Sequence, residues 1–330
     1  MITSQDLEKA VGEGKKKVVD FLVDHDVPVT PESIKIAHEN GHYKMASRLA
    51  LQYIEKMAAA PIPKPVPKPE PIAAQNIVMF KTCEVVAFKQ MVQLLAKRVD
   101  TLYSTTFSPA GIHIFKLNSD KDVLINIKLD PAGFVEFKCF ETRTVGINML
   151  ELLNDILNNI DDDKTLEIIV QQNYKMKVIS FNEHERQEFT CDVSEAVDPR
   201  LPIPDKCFDY EISMPPASLN NICKKALIVS SFMKIKIKDK CASFTSDNLF
   251  ADDKDGNKYK NVFAFENDKS NQKVFCETYT CRNILSFSRC GKLCSEIKLS
   301  FLEDYPLVME IPIATLGTMR IFITQIEKSK

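Results

Sequence analysis

Apolar and polar positions divide the chain into three kinds of territory. Over residues 1–58 apolar residues recur at helical spacing: Leu7, Ala10 and Val11; Val18, Val19, Phe21 and Leu22; Ile34, Ile36 and Ala37; Met45, Leu49 and Tyr53. Side chains three and four apart share one side of a helix, so short amphipathic helices are expected. Residues 59–76 lose all periodicity and carry six alternating prolines in AAPIPKPVPKPEPIAAQ. Proline fixes φ and donates no amide hydrogen, so this stretch reads as an extended linker. From Ile77 onward the period shortens to two. Phe107–Leu117 and Asp122–Leu129 alternate around a polar turn at Asn118–Lys121, the pattern of a hairpin, and Tyr174–Phe181 alternates again. Two helical runs interrupt the strands, Val85–Val99 with Phe88, Met91 and Leu95, and Pro216–Ser230 with Leu219, Ile222 and Ala226.

These two runs are one sign of a duplication. Glu141-Thr142-x-Thr144 recurs as Glu277-Thr278-x-Thr280, and each copy leads into an amphipathic run and then a short strand. Self-similarity at about one domain length predicts two copies of one domain rather than a solenoid. The expected fold class is α+β. Two similar domains, residues 77–190 and 207–330, each place two helices on antiparallel sheets. A connector at 191–206 joins them, with Pro199, Pro202 and Pro204 near its end.

Composition removes several classes of function. Net charge is −2, so any nucleic-acid contact must use a local patch. The ten cysteines sit mostly in apolar runs, which reads as reduced thiols in an intracellular protein, and no apolar run is long enough to span a membrane. The histidines (His25, His38, His42, His113, His184) are scattered. Cys290-x-x-x-Cys294 has no second pair at zinc spacing, and the acidic runs Asp161–Asp163 and Asp252-Asp253-x-Asp255 read as solvated loops. No phosphate-cradling or dinucleotide fingerprint is present. The expectation is a non-catalytic protein with no cofactor and no metal site.

Several stretches, taken in order, carry a resemblance to a known family. FSPAGIHIFKLNSDKDVLINIKLDPAGF, the VGINMLELLNDIL run, Leu201-Pro202-Ile203-Pro204, Asp304-Tyr305-Pro306-Leu307-Val308 and Ile313-Ala314-Thr315-Leu316-Gly317 are similar to successive motifs of the sliding clamp family, proliferating cell nuclear antigen. Residues 78–330 look like a divergent clamp of viral or protist kind with an added N-terminal region. That region resembles the helix-turn-helix half of ankyrin repeats, and reads either as a partner-binding cap or as an appendage. The resemblance implies a homotrimeric ring around duplex DNA, held without regard to sequence. It implies partners too: a clamp loader, a DNA polymerase and other clients carrying clamp-interacting peptides. The expected location is the nucleus or a viral replication compartment. A monomeric processivity factor, or an adaptor that does not encircle DNA, is the alternative.

The resemblance also assigns residues. DNA-facing cations would be Lys89, Lys97, Lys224, Lys225, Arg282 and Arg289, although such stripes also serve simply to solvate a helix. Asn154, Asp155, Asn158 and Asn159 stand where the family has lysines, which makes the channel less basic on that side. A client-peptide groove would take Leu117, Val123, Ile125, Ile203, Pro204, Pro306, Ile321, Phe322 and Ile323, a set equally compatible with ordinary core. The subunit interface would use edge strands containing Tyr174, Met176, Val178 and Ile179 on one side, and Lys273 and Phe275 on the other.

Overall fold

The computed structural model describes residues 4–24, 27–59, 76–97, 102–197, 206–238, 240–247, 258–265 and 274–326. The chain divides into two compact units, residues 1–69 with 199–207, and residues 70–198 with 208–330.

The first unit contains four helices: α1 Ser4–Gly12, α2 Lys16–Asp24, α3 Pro31–Glu39 and α4 Tyr43–Ala59. Its start signals are local. The Thr30 hydroxyl accepts a hydrogen bond from the Ser33 amide at 3.1 Å, the Ser33 hydroxyl accepts one in return from the Thr30 amide, and Pro31 occupies the first turn of α3. The apolar stripes read from the sequence meet in one core that includes Leu7, Val11, Leu22, Ile34, Ala37 and Leu49.

The second unit holds the duplication. Its first half runs β1 Asn76–Thr82, α5 Val85–Ala96, β2 Leu102–Ser108, β3 Gly111–Leu117, β4 Val123–Leu129, β5 Glu136–Cys139 and β6 Arg143–Asn148. There follow α6 Met149–Glu151, β7 Thr165–Gln171, β8 Lys175–Phe181, β9 Arg186–Asp192 and the short β10 Ser194–Glu195. The second half repeats the plan: β11 Tyr210–Met214, α7 Pro216–Val229, β12 Phe232–Lys238, β13 Cys241–Asp247, β14 Lys258–Ala264 and β15 Phe275–Thr280. It closes with α8 Cys281–Phe287, β16 Ile297–Phe301, β17 Leu307–Ile313 and β18 Gly317–Ile323. Element by element β4 corresponds to β14, β6 to β15, and β9 to β18.

Three antiparallel sheets result, in the orders β5-β1-β7-β8-β9, β10-β6-β2-β3-β4-β18-β17-β16-β11 and β14-β13-β12-β15. The nine-stranded sheet crosses from one half to the other where β4 pairs with β18, Val123 opposite Ile323 through to Leu129 opposite Gly317. One core, from Ile77 to Ile323, serves both halves. At the C-terminal end of β4 the backbone is approached from both flanks. A Cβ on Gly111 (φ 120) would strike the Leu129 carbonyl, and one on Gly317 (φ 153) the Lys128 carbonyl.

The VGINMLELLNDIL run departs from the expected helix. Its first residues complete β6, and Asn148 accepts from the amides of Leu150 and Glu151 to start α6. After one turn the helix widens to a π turn over Leu152–Ile156 and tightens to a 3-10 turn over Leu157–Asn159. Leu152, Leu153, Ile156 and Leu157 are all buried.

Candidate functional site

The helices form one contiguous surface. α5 packs on the α6 turn and α7 on α8, and Gln90 of α5 donates to the Arg289 carbonyl at 3.3 Å, joining the two halves. On α7, Leu219, Ile222, Cys223 and Ala226 are buried and Asn221, Lys224 and Lys225 exposed. Arg282 on α8, Arg289 in the turn after it and Lys97 at the end of α5 are also exposed.

Lys89 does not join them. Its side chain is 19% exposed, and its ammonium group pairs with Asp162 at 2.7 Å and donates to the Ile160 carbonyl. The Lys89 hydrogen bond, with Lys89 and Lys292 as nearby positive charges, holds the Asp162 carboxyl below its ordinary range. The α6 region exposes Glu151, Asn154, Asp155, Asn158 and Asn159. Positive charge on this surface is therefore concentrated on the second half, at Lys224, Lys225, Arg282 and Arg289. The Asp161–Asp163 run was the signal, because a loop carboxylate within reach of a helix lysine neutralises it.

The opposite, outer face of the nine-stranded sheet is the place for a groove. Residues opposed across an antiparallel ladder share a face. Val123 with Ile323 and Ile125 with Ile321 point inward, and all four belong to the common core. Assigned to a groove from the sequence, these four are core. The outward residues are the alternate ones: Leu117 opposite Leu124, Leu124 opposite Phe322, and Phe322 opposite Val308. Phe322 and Val308 are buried yet lie outside both core clusters, while Leu117, Leu124 and Pro306 are half-buried. Tyr305 stacks edge-on against Phe208 with ring centres 6.1 Å apart. Ile203 and Pro204 lie outside the described residues.

The expected edge strand also moves by one. β8 is paired on both sides, with β7 and with β9, so Met176, Val178 and Ile179 are interior. Tyr174 closes the turn before it at φ 59, and its hydroxyl accepts from Arg143 at 2.9 Å. The edge on that side of the sheet is β9, with β5 at the other edge among the described residues. In the four-stranded sheet, Phe275 of β15 turns inward and packs on Phe301 with ring centres 5.2 Å apart, and Lys273 lies outside the described residues. The outer side of β15 receives the chain's tail, where Ile326 donates to the Thr278 carbonyl at 2.9 Å. β14 is paired only with β13 among the described residues. Its exposed positions include Lys258, Lys260 and Val262, whereas β9 exposes Arg186, Glu188, Thr190 and Asp192, with Glu188 paired to Lys177 at 2.8 Å and Asp192 to Lys175. The sequence missed β9 and β14 because the order of strands in a sheet is not a local property.

Among the described residues no cluster of three or more metal-ligating side chains occurs. No helix among them is long and apolar enough to cross a membrane.

Two similar halves, a shared sheet and a helical face define a duplicated clamp fold. Residues 80–196 match the family model of the proliferating cell nuclear antigen N-terminal domain, and residues 202–326 that of its C-terminal domain. The chain belongs to the proliferating cell nuclear antigen family. A probable DNA polymerase sliding clamp of Acanthamoeba polyphaga mimivirus is 31% identical over 228 residues, covering 66% of this chain and 47% of the relative. This chain thus spans about half the length of that relative. A probable DNA polymerase sliding clamp 1 of Paramecium bursaria Chlorella virus 1 is 23% identical over 231 residues, 67% of this chain and 86% of the relative. The crystal structure of proliferating cellular nuclear antigen from Entamoeba histolytica superposes with a TM-score of 0.66 at 20% identity, covering 77% of this chain and all of that one.

Proposed function

We propose that this chain is a DNA sliding clamp, a non-catalytic processivity factor that assembles as a homotrimeric ring around duplex DNA. The observation that carries this reading is an unmatched pair of strand edges. Within the chain, β4 of the first half is paired by β18 of the second. Their counterparts β14 and β9 are edges of separate sheets. An open edge invites pairing by another chain. Joining β14 of one subunit to β9 of the next repeats the internal junction between subunits, and repetition of one such contact closes a ring. Lys258 and Lys260 lie on one edge, and the other carries Glu188 and Asp192, which Lys177 and Lys175 of β8 already pair, beside an exposed Arg186.

The helical face then lines the hole. Lys224, Lys225, Arg282, Arg289 and Lys97 contact phosphates, with no base edge read. Three copies give an alternating lining, basic on each second half and nearly neutral on each first half. The outer row Leu117, Leu124, Phe322 and Val308, with Pro306 beside it, receives the apolar plug of client peptides, including that of a DNA polymerase, and a clamp loader opens the ring. Light scattering on the full chain tests the reading. A mass three times the 37.4 kDa of one chain is expected at micromolar concentration. A monomer would remove the self-closing ring and leave a processivity factor bound to one side of DNA.

A further inference from the structure

The cysteines of the second half fall into two pairs with different access. Cys223 of α7 and Cys281 of α8 are both fully buried, and the Cys281 thiol donates to the Cys223 carbonyl at 3.2 Å. Cys290 and Cys294 lie in the turn between α8 and β16, Cys290 buried and Cys294 partly exposed. The turn holds them one above the other, since Leu293 donates to the Cys290 carbonyl at 2.8 Å and Cys294 to the same carbonyl at 3.4 Å. The chain between them includes Gly291, around which even a Cβ would meet nothing within 4 Å, so the turn has room to tighten.

We propose that Cys290 and Cys294 form a reversible dithiol–disulfide site that sets the position of the neighbouring Arg289 on the helical face. The neighbouring Cys290 thiol, and after it the Glu296 backbone, hold the Cys294 pKa down, while the Cys294 thiol and burial push Cys290 up. The accessible sulfur is thus the nucleophile and the buried one resolves. The oxidant is a small disulfide of the glutathione class. The Cys294 thiolate attacks one sulfur of glutathione disulfide, forming a mixed disulfide and releasing one glutathione thiolate. Cys290 loses its proton to solvent and attacks the Cys294 sulfur, and the second glutathione leaves. Two protein thiols lose two electrons, and one glutathione disulfide becomes two glutathiones.

Bond formation must draw the two sulfurs to about 2 Å. The turn is anchored at both ends, by Gln90 on the Arg289 carbonyl at 3.3 Å and by the Ala314 amide on the Leu293 carbonyl at 3.0 Å. Tightening between these anchors moves Lys292 and pulls on the Gln90–Arg289 contact, which redirects the Arg289 side chain. This second step rests on the proposed DNA contact of Arg289, whereas disulfide formation does not.

The test treats the reduced full chain with glutathione disulfide, alkylates the remaining thiols and maps tryptic peptides without reduction. The expected product links Cys290-Gly291-Lys292 to Leu293–Lys298, is absent in Cys294→Ser, and leaves Cys223 and Cys281 alkylated only after unfolding. Recovery of the two peptides unlinked, while exposed Cys83 and Cys241 have reacted, refutes the site. In the linked protein the log–log salt slope of DNA retention should differ by about one from that of the reduced protein, with no such difference in Cys294→Ser. A linked product with an unchanged slope refutes the coupling to Arg289. Failure of the reduced protein to hold DNA at all would instead refute the DNA reading and leave the disulfide result standing.

Discussion

Lys89 and Asp162 show how one residue can cancel another's expected role. Lys89 repeats at helical spacing with Gln93 and Lys97, which makes it a DNA candidate on pattern alone, yet its charge is taken up at 2.7 Å by Asp162. Replacing Asp162 by Asn should release it and steepen the salt dependence of DNA retention by about one log unit per log unit of salt. Lys224→Ala with Lys225→Ala should flatten that dependence by about two, and Lys89→Ala should leave it nearly unchanged. Acid titration offers an independent check. The folded Asp162 pKa lies below its ordinary value of 3.8, so the pair's contribution to stability is complete above that value and fades as pH falls through the lower folded one. Asp162→Asn should therefore lose less stability than wild type across that acid window in a denaturant series. The stripe itself was legible in the sequence. Its cancellation was not, because nothing in a one-dimensional pattern says which loop folds back over a helix.

Strands and helices differ in how much of their surroundings they encode. The hairpin β3–β4 and the helices α5 and α7 were readable because their apolar periods are local. The parity of β4 and β18 was legible too, since Val123, Ile125, Ile127 and Leu129 alternate with Asn126 and Lys128, and Met319, Ile321 and Ile323 with Thr318 and Arg320; it was the family resemblance that drew the inward row into a groove. Truncation separates the two rows. Ile125→Ala or Ile321→Ala should cost about 2–5 kcal/mol of stability, measured by denaturant unfolding. Leu117→Ala should weaken binding of an apolar client peptide with a smaller loss, because Leu117 is already half-exposed to solvent. The edges were the least legible elements, since β8 has a strand pattern as good as that of β9 and only the pairing order ranks them. Lys258→Glu with Lys260→Glu would set carboxylates against Glu188 and Asp192 of the next subunit. The expected result is monomers by light scattering with an unchanged far-ultraviolet spectrum, and a trimer of undiminished stability would reject the edge pairing.

At the scale of the whole molecule, duplication was the most informative thing in the sequence, because two copies of one domain constrain how copies meet. In the proposed ring the operation that relates the halves of a chain would also relate neighbouring chains, with the covalent connector as the main difference. Charge does not follow the duplication: the helical face of the second half exposes Lys224, Lys225, Arg282 and Arg289, and the α6 region of the first exposes Glu151, Asn154, Asp155, Asn158 and Asn159. The junction at the end of β4 has had no such liberty. At Gly111 and Gly317 the side chain is a single hydrogen, and the two flanking strands close on the Lys128 and Leu129 carbonyls through that emptiness. What is inherited there is a vacancy. One added methyl group would wedge β3 from β4 at Gly111, and would wedge the two halves apart at Gly317.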